Sequence, residues 1–218
     1  MIDTYDKLTI GKYLEIKAII EDNCDEVDKN VRMVAVLGDF DEEDVLDFTL
    51  PVFRRYMQSL GFLTEKPKTR PVLTSYKLGD MVLETVLNVE SMTTSQFIDY
   101  QTFIKEDNKI CELLSCFLIP KGKKYNKEYD IIEVQKLIRD NLSIIDALSL
   151  SAFFLQWYQA LSQTIITSLI KKMKKMKKKE KNKEIILKIE EVIANLERSG
   201  DGLQWLTEYR RQFENLGE

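Results

Sequence analysis

Apolar positions recur every three or four residues along most of this chain, the spacing of helices that bury one face. Thr9 can accept a free first-turn N–H through its hydroxyl, and Ile10 to Ile20 then reads as a helix. Val27, Val31, Val34, Ala35 and Leu37 form the next periodic set, stopped by Gly38. The run Asp39 to Asp44 supplies a cap and an acidic first turn, which the helix dipole favours. Leu46, Leu50, Phe53, Tyr56, Met57 and Leu60 then line one face up to Gly61, with Pro51 either kinking that helix or separating two short ones. Residues 64–72, containing Pro67 and Pro71, read as a linker. Strand-like alternation is confined to Val72 to Val89, in Leu73, Ser75 and Lys77 and again in Val82, Glu84 and Val86, with Lys77-Leu78-Gly79-Asp80 as a hairpin turn.

The second half repeats much of the first. Leu8 to Ile16 aligns without gaps on Met92 to Tyr100, and each stretch is followed by an Asp-Asn pair, Asp22-Asn23 and Asp107-Asn108. Leu50, Val52, Phe53 and Tyr56 align with Leu142, Ile144, Ile145 and Leu148, and Leu60 to Leu63 with Ala152 to Leu155. The growing offset requires loop insertions, one of them placed at Lys121 to Asn126. A long helix is predicted from Ser149 or Ser151, with Phe153, Phe154, Trp157, Tyr158, Leu161, Ile165 and Leu169 as its apolar stripe. It runs into a lysine-rich arm. Another helix follows over Lys183 to Leu196, then a turn at Ser199 to Gly202 and a last amphipathic helix from Leu203 to Phe213. The predicted fold is mostly α: two related helical modules (1–63 and 92–155) flank a linker and β-hairpin (64–91), and a C-terminal helical hairpin with the basic arm covers 156–218.

Charge sharpens this picture. The chain has 218 residues and a formal charge of −4, but Lys171 to Lys183 holds nine lysines and one glutamate, while residues 1–170 sum to −8. An acidic body carries a basic arm. The arm is suited to phosphates or to an acidic partner, although no arginine or aromatic residue interleaves the lysines, which argues against base readout. The 24 uncharged residues from Ala147 to Ile170 are long enough to span a bilayer. Three glutamines and six Ser or Thr within them favour a buried helix instead.

Catalytic and metal chemistry find little footing. There is no histidine, so the commonest general base and zinc ligand are missing. The acidic run fails as a calcium loop, since its sixth and twelfth places hold Asp44 and Leu50 where Gly and Glu are needed. Cys111 and Cys116 have no further ligand cluster and read as buried helix residues, and three cysteines without paired spacing fit a reducing compartment. No phosphate-loop or nucleophile-elbow motif occurs. No catalytic residue, cofactor site or metal site is therefore assigned. The candidate contact residues are Lys171, Lys172, Lys174, Lys175, Lys177, Lys178 and Lys179 on the arm, with Phe153, Trp157 and Tyr158 on the aromatic stripe.

Several stretches carry a resemblance. They are Leu8 to Glu15, Val36-Leu37-Gly38, Leu60 to Leu63, Met92 to Asp99, Ile119 to Asn126 with Tyr129-Asp130, and the Phe153-Phe154 helix with its lysine arm and Gly-Asp-Gly turn. Together, over most of the chain, they resemble tail-assembly chaperone-like and head–tail (neck or tail) virion proteins of tailed phages infecting gut bacteria. The resemblance implies a non-enzymatic assembly or virion-structural role through protein–protein contacts. The implied partners are other phage structural or tail proteins, or DNA through the arm, in a homo-oligomer or hetero-assembly without a membrane. The implied setting is the host cytoplasm during assembly, or the virion. The alternative is a nucleic-acid-binding or regulatory adaptor that uses Lys171 to Lys183.

Overall fold

The computed structural model describes residues 1–88, 91–104, 106, 109–177 and 187–194. The protein is mostly helical, with one small antiparallel sheet. Helices α1 (Ile10–Glu21), α2 (Glu26–Gly38), α3 (Glu42–Leu46) and α4 (Leu50–Ser59) come first, and α4 runs into a 3-10 turn at Leu60–Thr64. The hairpin β1 (Ser75–Leu78) and β2 (Met81–Thr85) follows. Then come α5 (Thr94–Phe103), α6 (Ile110–Ser115), β3 (Leu118–Pro120), α7 (Ile131–Asn141), the 34-residue α8 (Ile144–Lys177) and a short helix, α9, over 187–194.

The helix starts are written locally. The Thr9 hydroxyl accepts from the Lys12 N–H, Asp25 from those of Val27 and Asp28, and Asp130 from that of Ile132. Thr93 and Gln96 form a reciprocal capping box on α5. Pro51 sits in the first turn of α4, so it marks a break between two short helices rather than a kink. The hairpin turns where predicted: Gly79 opens the two-residue loop at φ 57°, a conformation open to glycine at little cost. A third strand escaped the alternation argument, because β3 has only three residues. It pairs with β2, Leu83 opposite Pro120 and Thr85 opposite Leu118, and leaves β2 in the centre.

One hydrophobic cluster runs through all of this, taking buried side chains from Tyr5 to Tyr158. The segments 1–63, 64–91 and 92–155 each contribute to it. Of the aligned halves, Thr9 and Thr93 both cap helices, and Ile16 and Tyr100 are both buried. Other aligned positions differ in environment: Tyr13 is buried where Phe97 is exposed, and Leu50 is 78 % exposed where Leu142 is 1 %. Asp107 and Asn108, the turn at Ser199 to Gly202 and the helix predicted from Leu203 to Phe213 lie outside the described residues.

One expectation is corrected. The long helix begins at Ile144 rather than near Ser149 or Ser151, because Ser143 already caps it: its hydroxyl accepts the Asp146 N–H at 3.1 Å. Helix α2 ends at Gly38, as the sequence indicates, although Gly38 is not its left-handed residue. The left-handed residue there is Asp39, at φ 55°, and the N–H of Phe40 reaches back to the Ala35 carbonyl at 3.0 Å. Gly38 is required for another reason. The Phe40 ring lies over its Cα, where a Cβ would come within 2.2 Å of the ring. Phe40 in turn packs edge-on against Phe48 and Tyr56, with centroids 5.4 Å away in both cases.

Gly38→Ala is therefore expected to lower stability by about 1–2 kcal/mol, through displacement of Phe40. Asp39→Gly should raise it by roughly 0.5 kcal/mol by relieving the left-handed backbone. Urea unfolding of the two variants measures both, and opposite signs at adjacent residues are the expected result.

Candidate functional site

Three features of the structure offer contact or charge. The first is an apolar cleft of about 540 Å³ between α1, α2, α4 and the 3-10 turn. Tyr13, Ile16 and Ile20 line it from α1, Met33 from α2, Met57 from α4 and Leu63 from the turn. Its far wall is fixed by Tyr5, whose hydroxyl donates to the Leu63 carbonyl at 3.0 Å while its ring meets Phe62 edge-on. Burial pushes the Tyr5 phenol up to about 12. Lys17 and Glu21, paired at 3.8 Å, stand among the lining residues. The lining supplies mainly apolar contact and two polarisable methionines.

The second feature is a polar clasp on the linker. The Arg70 Nε donates to Asp146 Oδ1 at 2.6 Å and its Nη2 to Oδ2, a two-pronged pair. Its Nη1 reaches Asp6 at 3.1 Å, and its backbone N–H donates to the Ser149 hydroxyl at 3.0 Å. Ser143 completes the group, donating to Asp146 Oδ2 at 2.9 Å. The Asp146 side chain is 8 % exposed and sits in the first turn of α8, where the helix dipole favours a carboxylate. Its hydrogen bonds hold the Arg70 guanidinium above the ordinary arginine value. The clasp pins the linker across the start of α8. Sequence reading missed Arg70, although Ser143 and Asp146 show the Ser-x-x-Asp form of a capping box.

The third feature is α8 itself. Phe154 stacks on Phe117 with centroids 3.5 Å apart, and Tyr158 lies in the core, 2 % exposed, beside Tyr100. Phe153 and Trp157 are half-buried and pack against the same cluster. Of the aromatic residues singled out from sequence, Tyr158 therefore faces the chain's own interior. Lys171 is exposed, and the helix continues through Lys172, Lys174, Lys175 and Lys177. Lys178 and Lys179 lie outside the described residues. Among the described residues, no helix is long and apolar enough to cross a membrane.

Cys111 and Cys116 are buried, as the sequence suggested, and Cys24 is half-exposed. Burial pushes the thiols of Cys111 and Cys116 up to about 12. Cys116 sits 3.7 Å from the Tyr125 hydroxyl, which donates to Asp99 at 2.8 Å and ties the 121–130 loop to α5. The acidic run forms part of a polar recess lined by Glu15, Asp41, Glu42 and Asp140, with Lys12 and Asp39 paired at 2.6 Å. Among the described residues, no group of three or more His, Cys, Asp or Glu side chains is placed to hold a metal ion.

No protein-family model, curated protein or solved structure matches this chain.

Arg70→Ala should cost about 2 kcal/mol, less than breaking a fully buried pair because the guanidinium still meets solvent. A double-mutant cycle with Asp146→Asn, read by urea unfolding, should show the two losses to be strongly non-additive. The thiols set a second expectation. Folding raises the pKa of Cys111 and Cys116 from 9.0 to about 12, so above pH 9.0 the unfolded chain ionises first. Stability should therefore fall between pH 9.0 and about 12, and replacing both cysteines by alanine should flatten that fall in a pH series of thermal melts.

Proposed function

We propose that this protein is a non-enzymatic assembly or virion-structural protein of a tailed phage, acting in the head–tail or tail region through protein–protein contacts. The observation that carries the reading is the division of α8. Its first half is sealed into the core through Phe154 and Tyr158, while its other end carries the lysines of an arm whose net charge is +8. A helix anchored at one end and strongly charged at the other suits docking on an acidic surface. The resemblance of Leu8 to Glu15, Met92 to Asp99 and Ile119 to Asn126 to phage assembly proteins supplies the biological setting, and the apolar cleft adds a further contact surface. In this reading Phe153 and Trp157 help set the helix on the body, and the arm makes the contact.

The charge of the arm also favours a second reading, a nucleic-acid-binding adaptor. The two readings predict different partners. Co-expression with the structural proteins encoded beside it should yield a complex that survives gel filtration at low salt. Replacing Lys171, Lys172, Lys174 and Lys175 with glutamine should weaken that complex and leave the helical circular dichroism unchanged. Duplex DNA affinity that falls steeply with salt, with no protein complex formed, would overturn the assembly role in favour of the adaptor.

A further inference from the structure

The corner between α3 and α4 is unusual in what it leaves outside. Phe48 turns inward, stacked on Tyr56 with centroids 5.3 Å apart, and Val45 is buried. Leu46 and Leu50, on either side of Phe48, remain 68 % and 78 % exposed, and Val52 is exposed as well. Glu43, Asp44 and Asp47 surround this apolar corner, all exposed. Among the described residues, no ion pair engages these acids, whereas the neighbouring Glu42 approaches Arg32 at 3.8 Å. Apolar side chains left in water beside uncompensated acids mark a surface whose partner must be both apolar and basic.

The same chain carries the complement. Along the sequence of the last turns of α8, Lys171, Lys172, Lys174, Lys175 and Lys177 are interleaved with Met173 and Met176. Unbranched methionines fit leucine corners without a fixed shape, and lysines meet the acids around them. At 1.5 Å per residue, the helix carries Lys171 about 40 Å from its capped start at Ile144. The geometry points to a head-to-tail contact between copies of this chain, in which the apolar, acid-rimmed corner of α3 and α4 receives the lysine- and methionine-bearing end of α8 from a neighbouring copy. The inference rests on the assembly reading and names the acidic surface that the arm meets. Because each copy offers one corner and one arm, the contact is heterologous and propagates into a ring or a filament.

Light scattering on the full chain tests this. At about 50 mM salt the mass should be a multiple of the 25.5 kDa monomer, and it should fall toward the monomer at about 500 mM as the charges are screened. A corner variant, Glu43→Lys, Asp44→Lys and Asp47→Lys, should be monomeric at low salt. An arm variant, Lys171→Glu, Lys172→Glu, Lys174→Glu and Lys175→Glu, should be monomeric too. In a mixture of the two, the unaltered arm of the corner variant meets the unaltered corner of the arm variant, and the reversed corner, now basic, meets the reversed arm, now acidic. Assemblies larger than either monomer should therefore form, with the two variants alternating. Placing both sets of reversals in one chain should restore self-association. Circular dichroism confirms that each variant retains its helix content. A monomeric wild-type chain at low salt, a corner variant that keeps the wild-type mass, or a mixture that stays monomeric overturns the contact. The complex with other structural proteins is measured separately: its absence alongside intact self-association would remove the assembly role and leave the head-to-tail contact standing.

Discussion

The fold turns on one short backbone pairing between two helix starts. Thr9 and Ser143 face each other in an antiparallel bridge, in which the Ile10 N–H donates to the Leu142 carbonyl at 3.1 Å and the Ile144 N–H to the Leu8 carbonyl at 2.8 Å. N–H groups at a helix start have no partner within the helix. Here α1 and α8 each hand one to the other's leading strand, and the capping hydroxyls of Thr9 and Ser143 take one more on each side. Residues 134 positions apart are thus brought together, with Leu8, Ile10, Leu142 and Ile144 all sealed beneath them. The buried apolar area drives this closure, and the bridge fixes its register.

Other long-range ties gather around that point. Arg70 lays the linker over the start of α8 through Asp146 and Ser149, and also reaches Asp6, just ahead of α1. On the opposite side, Gly11 lets α1 approach α7 so closely that a Cβ there would lie 3.2 Å from the Arg139 carbonyl. The middle of the chain is secured separately, by Gln96 donating to the Cys116 carbonyl at 3.1 Å and by Tyr125 reaching Asp99. The body is therefore fixed where α8 enters it. Farther along α8 the sequence changes from aromatic residues to lysine.

That change also separates the two kinds of surface on the molecule. Helix α4 contributes both to the apolar cleft with α1 and to the corner with α3, where Leu46, Leu50 and Val52 stay exposed in the same stretch as Glu43, Asp44 and Asp47. The difference follows from how α4 is seated. Phe53, Tyr56 and Met57 face the body, which turns the start of α4, with Leu50 and Val52, outward.

The cap of α1, most helical stretches of the first half and the hairpin turn were legible along the chain, because these depend on contacts within a few residues. Thr9 and Gly79 act on their own neighbours, and periodicity records which side of a helix is apolar. The lysine arm was equally legible, since charge density along a chain needs no fold. Tertiary structure alone decided which apolar faces found a partner. Leu50 and Leu142 look alike in the pattern, and only packing left the first in water and buried the second. It likewise assigned Tyr158 to the core, recruited three residues as β3, and gave Arg70, an unremarkable linker residue in sequence, its place on Asp146. Such outcomes depend on groups far apart in the chain, whose meeting is fixed by shape and solvent exclusion and leaves no periodic trace.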